Sequence, residues 1–104
     1  MTTSQPEQPS QSAQASQPEQ PAVRLLLVDD EPGLRSAVQA YLEDEGFDVT
    51  TAVDGEDGFS RAQQMLPDVV ISDVMMPRLD GYGLLNKLRT DERLGGTPVI
   101  LLTA

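Results

Sequence analysis

The chain has no cysteine and no histidine in its 104 residues. The first absence excludes disulfides, thiolate metal sites and a thiol nucleophile, and it fits a cytoplasmic setting. The second removes the commonest general base and metal ligand. Basic residues are scarce, with 7 Lys and Arg against 17 Asp and Glu, for a formal net charge of −10. That balance disfavours direct nucleic-acid binding, which needs clustered cations against phosphates. It equally disfavours anionic membrane surfaces and accommodates a divalent cation. No apolar run approaches the roughly 20 residues of a membrane span. Any chemistry must therefore run on carboxylates, hydroxyls, the backbone and a few Lys or Arg side chains.

What is present divides sharply. Residues 1–21 hold six Gln, four Pro and four Ser, with no aliphatic side chain larger than Ala after Met1. Such a stretch buries too little apolar surface to offset the entropy of ordering it, and a disordered tail is expected. It lacks the basic start and apolar run of a signal peptide. Residues 22–104 carry all seven basic residues and fifteen of the seventeen acidic ones, so the folded domain is placed there.

Within that domain, Val23 to Val28 is a continuous apolar run interrupted only by Arg24 and ending on Asp29-Asp30. Pro32 opens a helix, where a missing N–H is no loss. Leu34, Ala37, Val38, Tyr41 and Leu42 then recur at the spacing of one helix face. Gly46 is expected to stop it. Phe47 to Ala52 reads as a strand, Asp54-Gly55 as a turn, and about Glu56 to Leu66 as a second helix with Phe59, Ala62 and Leu66 inward. Asp68 to Asp73 is an apolar strand expected to be covered on both faces. Asp80 is the expected N-cap of a third helix, with Leu84, Leu85 and Leu88 on its buried side. Thr90 to Thr97 is a loop, and Pro98 to Ala104 a last apolar strand.

Strands alternating with helices imply a parallel sheet with right-handed crossovers. All strand C-termini then share one edge, which would collect Asp29, Asp30, Asp73 and Thr103. The first and third strands become neighbours if the sheet reverses direction between them, at the switch point where such sheets bind ligands. Three carboxylates there would repel one another without a cation, and an all-oxygen set suits Mg²⁺. A free oxygen of Asp73 could then attack phosphorus to give an acyl phosphate, with the Thr103 hydroxyl donating to a phosphoryl oxygen. Each motif alone has a plainer reading: Asp29-Asp30 as a cap, Thr103 as structural, Met75-Met76 as loop packing. Asp54-Gly55-Glu56-Asp57-Gly58 lacks the alternation and closing Glu of a calcium loop. Gly81-Tyr82-Gly83 is not completed into a dinucleotide fingerprint.

Together, Leu25-Leu26-Leu27-Val28-Asp29-Asp30-Glu31, Asp68-Val69-Val70-Ile71-Ser72-Asp73-Val74-Met75-Met76-Pro77 with Asp80-Gly81, and Pro98-Val99-Ile100-Leu101-Leu102-Thr103-Ala104 are more specific. In order and spacing they closely resemble the receiver domain of two-component response regulators, from about Val23 to Ala104. The resemblance implies a flavodoxin-like three-layer α/β sandwich. It makes Asp73 the phosphoacceptor, Asp30 a direct Mg²⁺ ligand, Asp29 a ligand through water, and Met75 a ligand through its backbone carbonyl. It makes Thr103 the switch hydroxyl and Ala104 a backbone N–H donor to the phosphoryl group. It implies a sensor histidine kinase as partner, which would supply the missing histidine. On this reading the chain is a phosphorelay signalling module and not an enzyme turning over an independent substrate.

Two other readings compete: a receiver-like protein-binding module that no longer accepts phosphate, and an aspartyl phosphohydrolase. The latter resembles the haloacid dehalogenase group, whose second Asp would stand where this chain has Met75. The family pattern continues beyond what is visible here with a helix, a strand ending on a phosphoryl-pairing Lys, and a last helix. The visible domain is thus expected to be truncated, at four strands and three helices. One sheet face would leave about four apolar side chains in water, at roughly 1.5–3 kcal/mol each. The fourth strand would be a bare edge open to self-association.

Overall fold

The computed structural model describes residues 21–103. Seven elements follow in the order β1 (Arg24–Val28), α1 (Pro32–Asp44), β2 (Asp48–Ala52), α2 (Gly55–Met65), β3 (Val69–Asp73), α3 (Gly81–Thr90) and β4 (Val99–Leu102). The four strands form one parallel sheet in the order β2-β1-β3-β4. The chain adds β2 to one side of β1 and then β3 to the other, so the sheet reverses at β1. The expected tail at 1–21 falls almost wholly outside the described residues, as does Ala104.

Side chains alternate across the sheet. Leu26, Val28, Ala52 and Val70 turn to one face and meet Ala62 of α2 and Leu84 and Leu88 of α3. Phe59, Met65, Met76, Leu79 and Val99 pack around that cluster. Leu94 joins it from the loop after α3, 1% exposed, a core residue that a reading of Thr90 to Thr97 as plain loop overlooks. Gly58 lies where α2 crosses β1: a Cβ there would sit 3.0 Å from a Val28 methyl. The glycine that costs helix propensity permits the close packing of helix on strand.

The opposite face is covered by α1, which packs chiefly on β2 and β1. Here the expected apolar face of α1 needs correction. Leu34, Ala37 and Tyr41 are exposed, Leu34 by 51% and Tyr41 by 63%. The half-buried side of the helix is Arg35, Val38, Gln39 and Leu42, also at helical spacing but rotated by one position. The apolar pattern spans a wider arc than the side of α1 that rests on β2 and β1. Full two-sided covering of β3 is corrected too: Val70 and Ser72 are buried toward α2 and α3, whereas Val69 and Ile71 are only half-buried. On the same face, Ile100 and Leu102 of β4 are 49% and 44% exposed. Of the about four apolar side chains expected in water, Ile100 and Leu102 thus stand about half in it, and Val69 and Ile71 less.

The helix ends follow local chemistry. Glu31 caps α1 by accepting from the Leu34 N–H at 2.6 Å, with Pro32 in the first turn. Gly46 follows that helix at φ 99°, a left-handed conformation that glycine adopts freely. Asp80 caps α3 as expected, accepting from the Gly83 N–H at 2.8 Å. Asp54, expected in a turn, is the N-cap of α2. Leu66, expected inward, is its left-handed C-cap residue (φ 50°) and 41% exposed; Met65 fills the inward position instead.

Candidate functional site

Strand register brings the acidic residues together. Val28 of β1 pairs with Ser72 of β3, so one step further Asp29, just past β1, and Asp73, the last residue of β3, stand side by side at the reversal point. Asp30 follows in the turn leading to α1. Carboxylate oxygens of Asp29, Asp30 and Asp73 all lie within 4.8 Å of one another. Asp29 is buried, 4% exposed, whereas Asp73 is half-buried and Asp30 exposed.

Asp29 is the most firmly held of the three. Its N–H donates to the Ala52 carbonyl at 3.1 Å, extending the β1–β2 ladder. Its Oδ1 accepts from the Glu31 N–H at 3.0 Å, and its carbonyl accepts from Arg35 Nη1 at 2.8 Å. Arg35 is thus spent on backbone and adds no direct contact to the carboxylates. The contact from the Glu31 N–H is the local pattern of an Asx turn, in which an Asp side chain accepts from the N–H two residues on.

Burial first, then the contact with the Asp29 carboxylate and the negative charges of Asp29 and Asp30, push Asp73 above the ordinary carboxylate value of 3.8. The causes are a carboxylate out of full solvation and like charges beside it. The residues present fit a hard divalent cation, which takes oxygen ligands and relieves this repulsion.

Of the remaining expected site residues, Met75 and Thr103 are among the described ones. Met75 lies two residues past Asp73 in the β3–α3 loop, its side chain 78% exposed and free of any packing role. Asp73 is in register with Leu102, and the Val74 N–H donates to the Leu102 carbonyl at 3.2 Å, so Thr103 emerges on the same edge, exposed. Ala104 lies outside the described residues. Behind the site, Ser72 is fully buried and donates its hydroxyl to the Asp73 carbonyl at 2.8 Å.

The loop after Asp73 is held at several points. The Gly81 N–H donates to the Val74 carbonyl at 2.8 Å, and the Leu79 N–H to the Pro77 carbonyl at 2.7 Å. A Cβ on Gly81 would collide with the Asp73 carbonyl, and one on Gly55 with the Leu79 carbonyl. Arg78, at φ 67°, reaches Asp54 with Nε at 2.7 Å and Nη2 on the same carboxylate oxygen. This pair, 24 residues apart in sequence, gave no sequence signal, because neither residue belongs to a local motif with the other.

Comparison with known proteins agrees with this geometry. Residues 25–104 match the family model of the response regulator receiver domain. The chain belongs to that family, a class of signalling modules. It is similar to the response regulator Rre1 of Synechocystis sp., 53% identical over 83 residues, covering 79% of this chain and 36% of the relative. The chain thus spans about a third of that relative's length. Among solved structures, it is similar to the N-terminal domain of a response regulator receiver protein from Methanoculleus marisnigri. That match has a TM-score of 0.76 and 34% identity, covering 79% of this chain and 67% of the other. It is also similar to the receiver domain of sensor histidine kinase PA1611 from Pseudomonas aeruginosa, with a magnesium ion coordinated in its active-site cleft. There the TM-score is 0.77 and the identity 32%, covering 80% of this chain and 68% of the other. The flavodoxin-like receiver fold and the phosphorelay class expected from the motifs stand. No helix among the described residues is long and apolar enough to cross a membrane.

Proposed function

We propose that this chain accepts a phosphoryl group on Asp73 from the phosphohistidine of a sensor histidine kinase, on the cytoplasmic side of the cell, with Mg²⁺ as cofactor. The observation that carries this is the meeting of the Asp29, Asp30 and Asp73 carboxylates within 4.8 Å at the sheet's reversal point. Asp30 and Asp73 would hold the cation directly, Asp29 through water and Met75 through its carbonyl. When bound, Mg²⁺ supplies charge neutralisation at the transferring phosphoryl oxygens. An Asp73 oxygen attacks phosphorus, the P–N bond of the donor breaks, and its electron pair returns to the imidazole nitrogen. Asp29 is rigid through its three backbone-linked hydrogen bonds and keeps the cation side of the site fixed. Thr103, on the same edge, offers its hydroxyl to the phosphoryl group once it is on Asp73, and the N–H of Ala104 would add a second donor. The acyl phosphate then biases the conformation of the Thr103 segment, the step by which the signal is passed on.

The test is labelling with acetyl phosphate, with and without Mg²⁺, read by intact mass. An acid-stable, base-labile adduct of one phosphoryl group that needs Mg²⁺ is expected, and none on Asp73→Ala. Equal labelling of that variant would overturn the assignment.

A further inference from the structure

We infer that Arg78 and Asp54 form a clamp that fixes the β3–α3 loop, and that through this loop they set the affinity of the acidic site for its divalent cation. The inference deepens the metal reading above and rests on it. Asp54 divides its two oxygens. Oδ1 accepts from the Asp57 N–H at 2.8 Å and caps α2, while Oδ2 takes both contacts from Arg78. The Asp54 side chain is 4% exposed and that of Arg78 60% exposed. A wholly exposed ion pair contributes little, but here loss of Arg78 leaves a buried carboxylate oxygen without its donor.

Arg78 makes both contacts from a left-handed backbone. A φ of 67° is costly for a residue with a Cβ, by about 1 kcal/mol, and is kept only where the surroundings enforce it. Two further contacts fix the same loop. Gly55, the first residue of α2, lies so close to Leu79 that no side chain fits between them. At the loop's other end, the Gly81 N–H closes back on the Val74 carbonyl, next to Asp73. The loop that leaves Asp73 and carries Met75 is therefore strapped to the N-terminus of α2. Arg78 makes no direct contact with the three site carboxylates among its hydrogen bonds, and its charge is met by Asp54. It is a positioning residue.

Mg²⁺ titration calorimetry on the chain, Arg78→Gln, Arg78→Lys, Asp54→Asn and the double variant Arg78→Gln/Asp54→Asn tests this. Asp54→Asn keeps the α2 cap, because Asn is an equally good cap, but turns an NH₂ toward the guanidinium and releases it. We expect Arg78→Gln and Asp54→Asn each to raise the Mg²⁺ Kd by about tenfold, as loss of a supporting contact does at other metal sites. The double variant should be no worse than either single one, and Arg78→Lys should fall between. Hydrogen exchange at the Gly81 amide should speed up in step. An unchanged Kd in Arg78→Gln, or additive losses in the double variant, would overturn the clamp and leave the metal site standing. A parent chain that takes up no Mg²⁺ would overturn the metal reading and the clamp together.

Discussion

At the residue scale, Asp73 is held in a state it does not favour. Its folded-state pKa is raised, first by burial and then by Asp29 and Asp30. The linkage has a definite sign. A raised carboxylate pKa favours the fold below the ordinary value of 3.8, and that contribution is lost as pH rises through the folded value. At neutral pH the ionised Asp73 therefore costs stability in the cation-free protein. Asp73→Asn should melt higher than the parent without Mg²⁺ at pH ~7, and the difference should shrink as pH falls toward the ordinary carboxylate range. Mg²⁺ should raise the parent's melting temperature by mass action and do little for the variant. Thermal melts with and without Mg²⁺ across that range check both. A variant less stable than its parent at neutral pH would mean that Asp73 is stabilised by contacts other than those seen.

At the element scale, the sequence carries the site further than it carries the covering of the sheet. Continuous apolar runs, helical spacing and cap and turn residues placed every strand and helix, and Asp73 at the end of an apolar run was legible because strand ends converge in a parallel sheet. What escaped was tertiary. Tyr41 and Leu34 match a buried helix face in pattern, but α1 rests on β2 and β1 with its Arg35, Val38, Gln39 and Leu42 side, which leaves both outside the contact. Leu94 sits in a stretch that looks like loop. Asp54 and Arg78 are distant in sequence and meet only because α2 and the β3–α3 loop lie side by side. Gly81 shows the same limit. In the sequence it follows an N-cap and looks permissive, yet in the fold it is where α3 starts against the backbone of Asp73. Gly81→Ala should therefore destabilise by about 1–3 kcal/mol through overpacking, although alanine is the better helix former. It should also weaken Mg²⁺ binding by displacing the end of β3. Urea melts and cation titration read the two effects. A stabilised Gly81→Ala would show that the loop gives way without moving the site.

At the scale of the whole molecule, the sheet is covered unevenly. One face is closed by α2 and α3, whereas Ile100 and Leu102 stand half in water on the other, on a strand that is also an edge of the sheet. An edge strand with apolar side chains invites pairing, and net charge opposes it: at −10 the chains repel at low salt. Association through β4 should therefore appear as salt screens that repulsion and as concentration rises, in sedimentation velocity. Charge and apolar contact are separated by substituting Ile100, which lies opposite Ile71 and away from Asp73, in both signs. Ile100→Glu increases the repulsion and Ile100→Lys reduces it, but both remove the apolar contact. If the exposed face drives association, both variants stay monomeric at a salt concentration where the parent associates. If only Ile100→Glu does so, general charge repulsion is responsible. If neither does, the chains pair through the unpaired backbone of β4, and a proline introduced on that edge should then be what stops them.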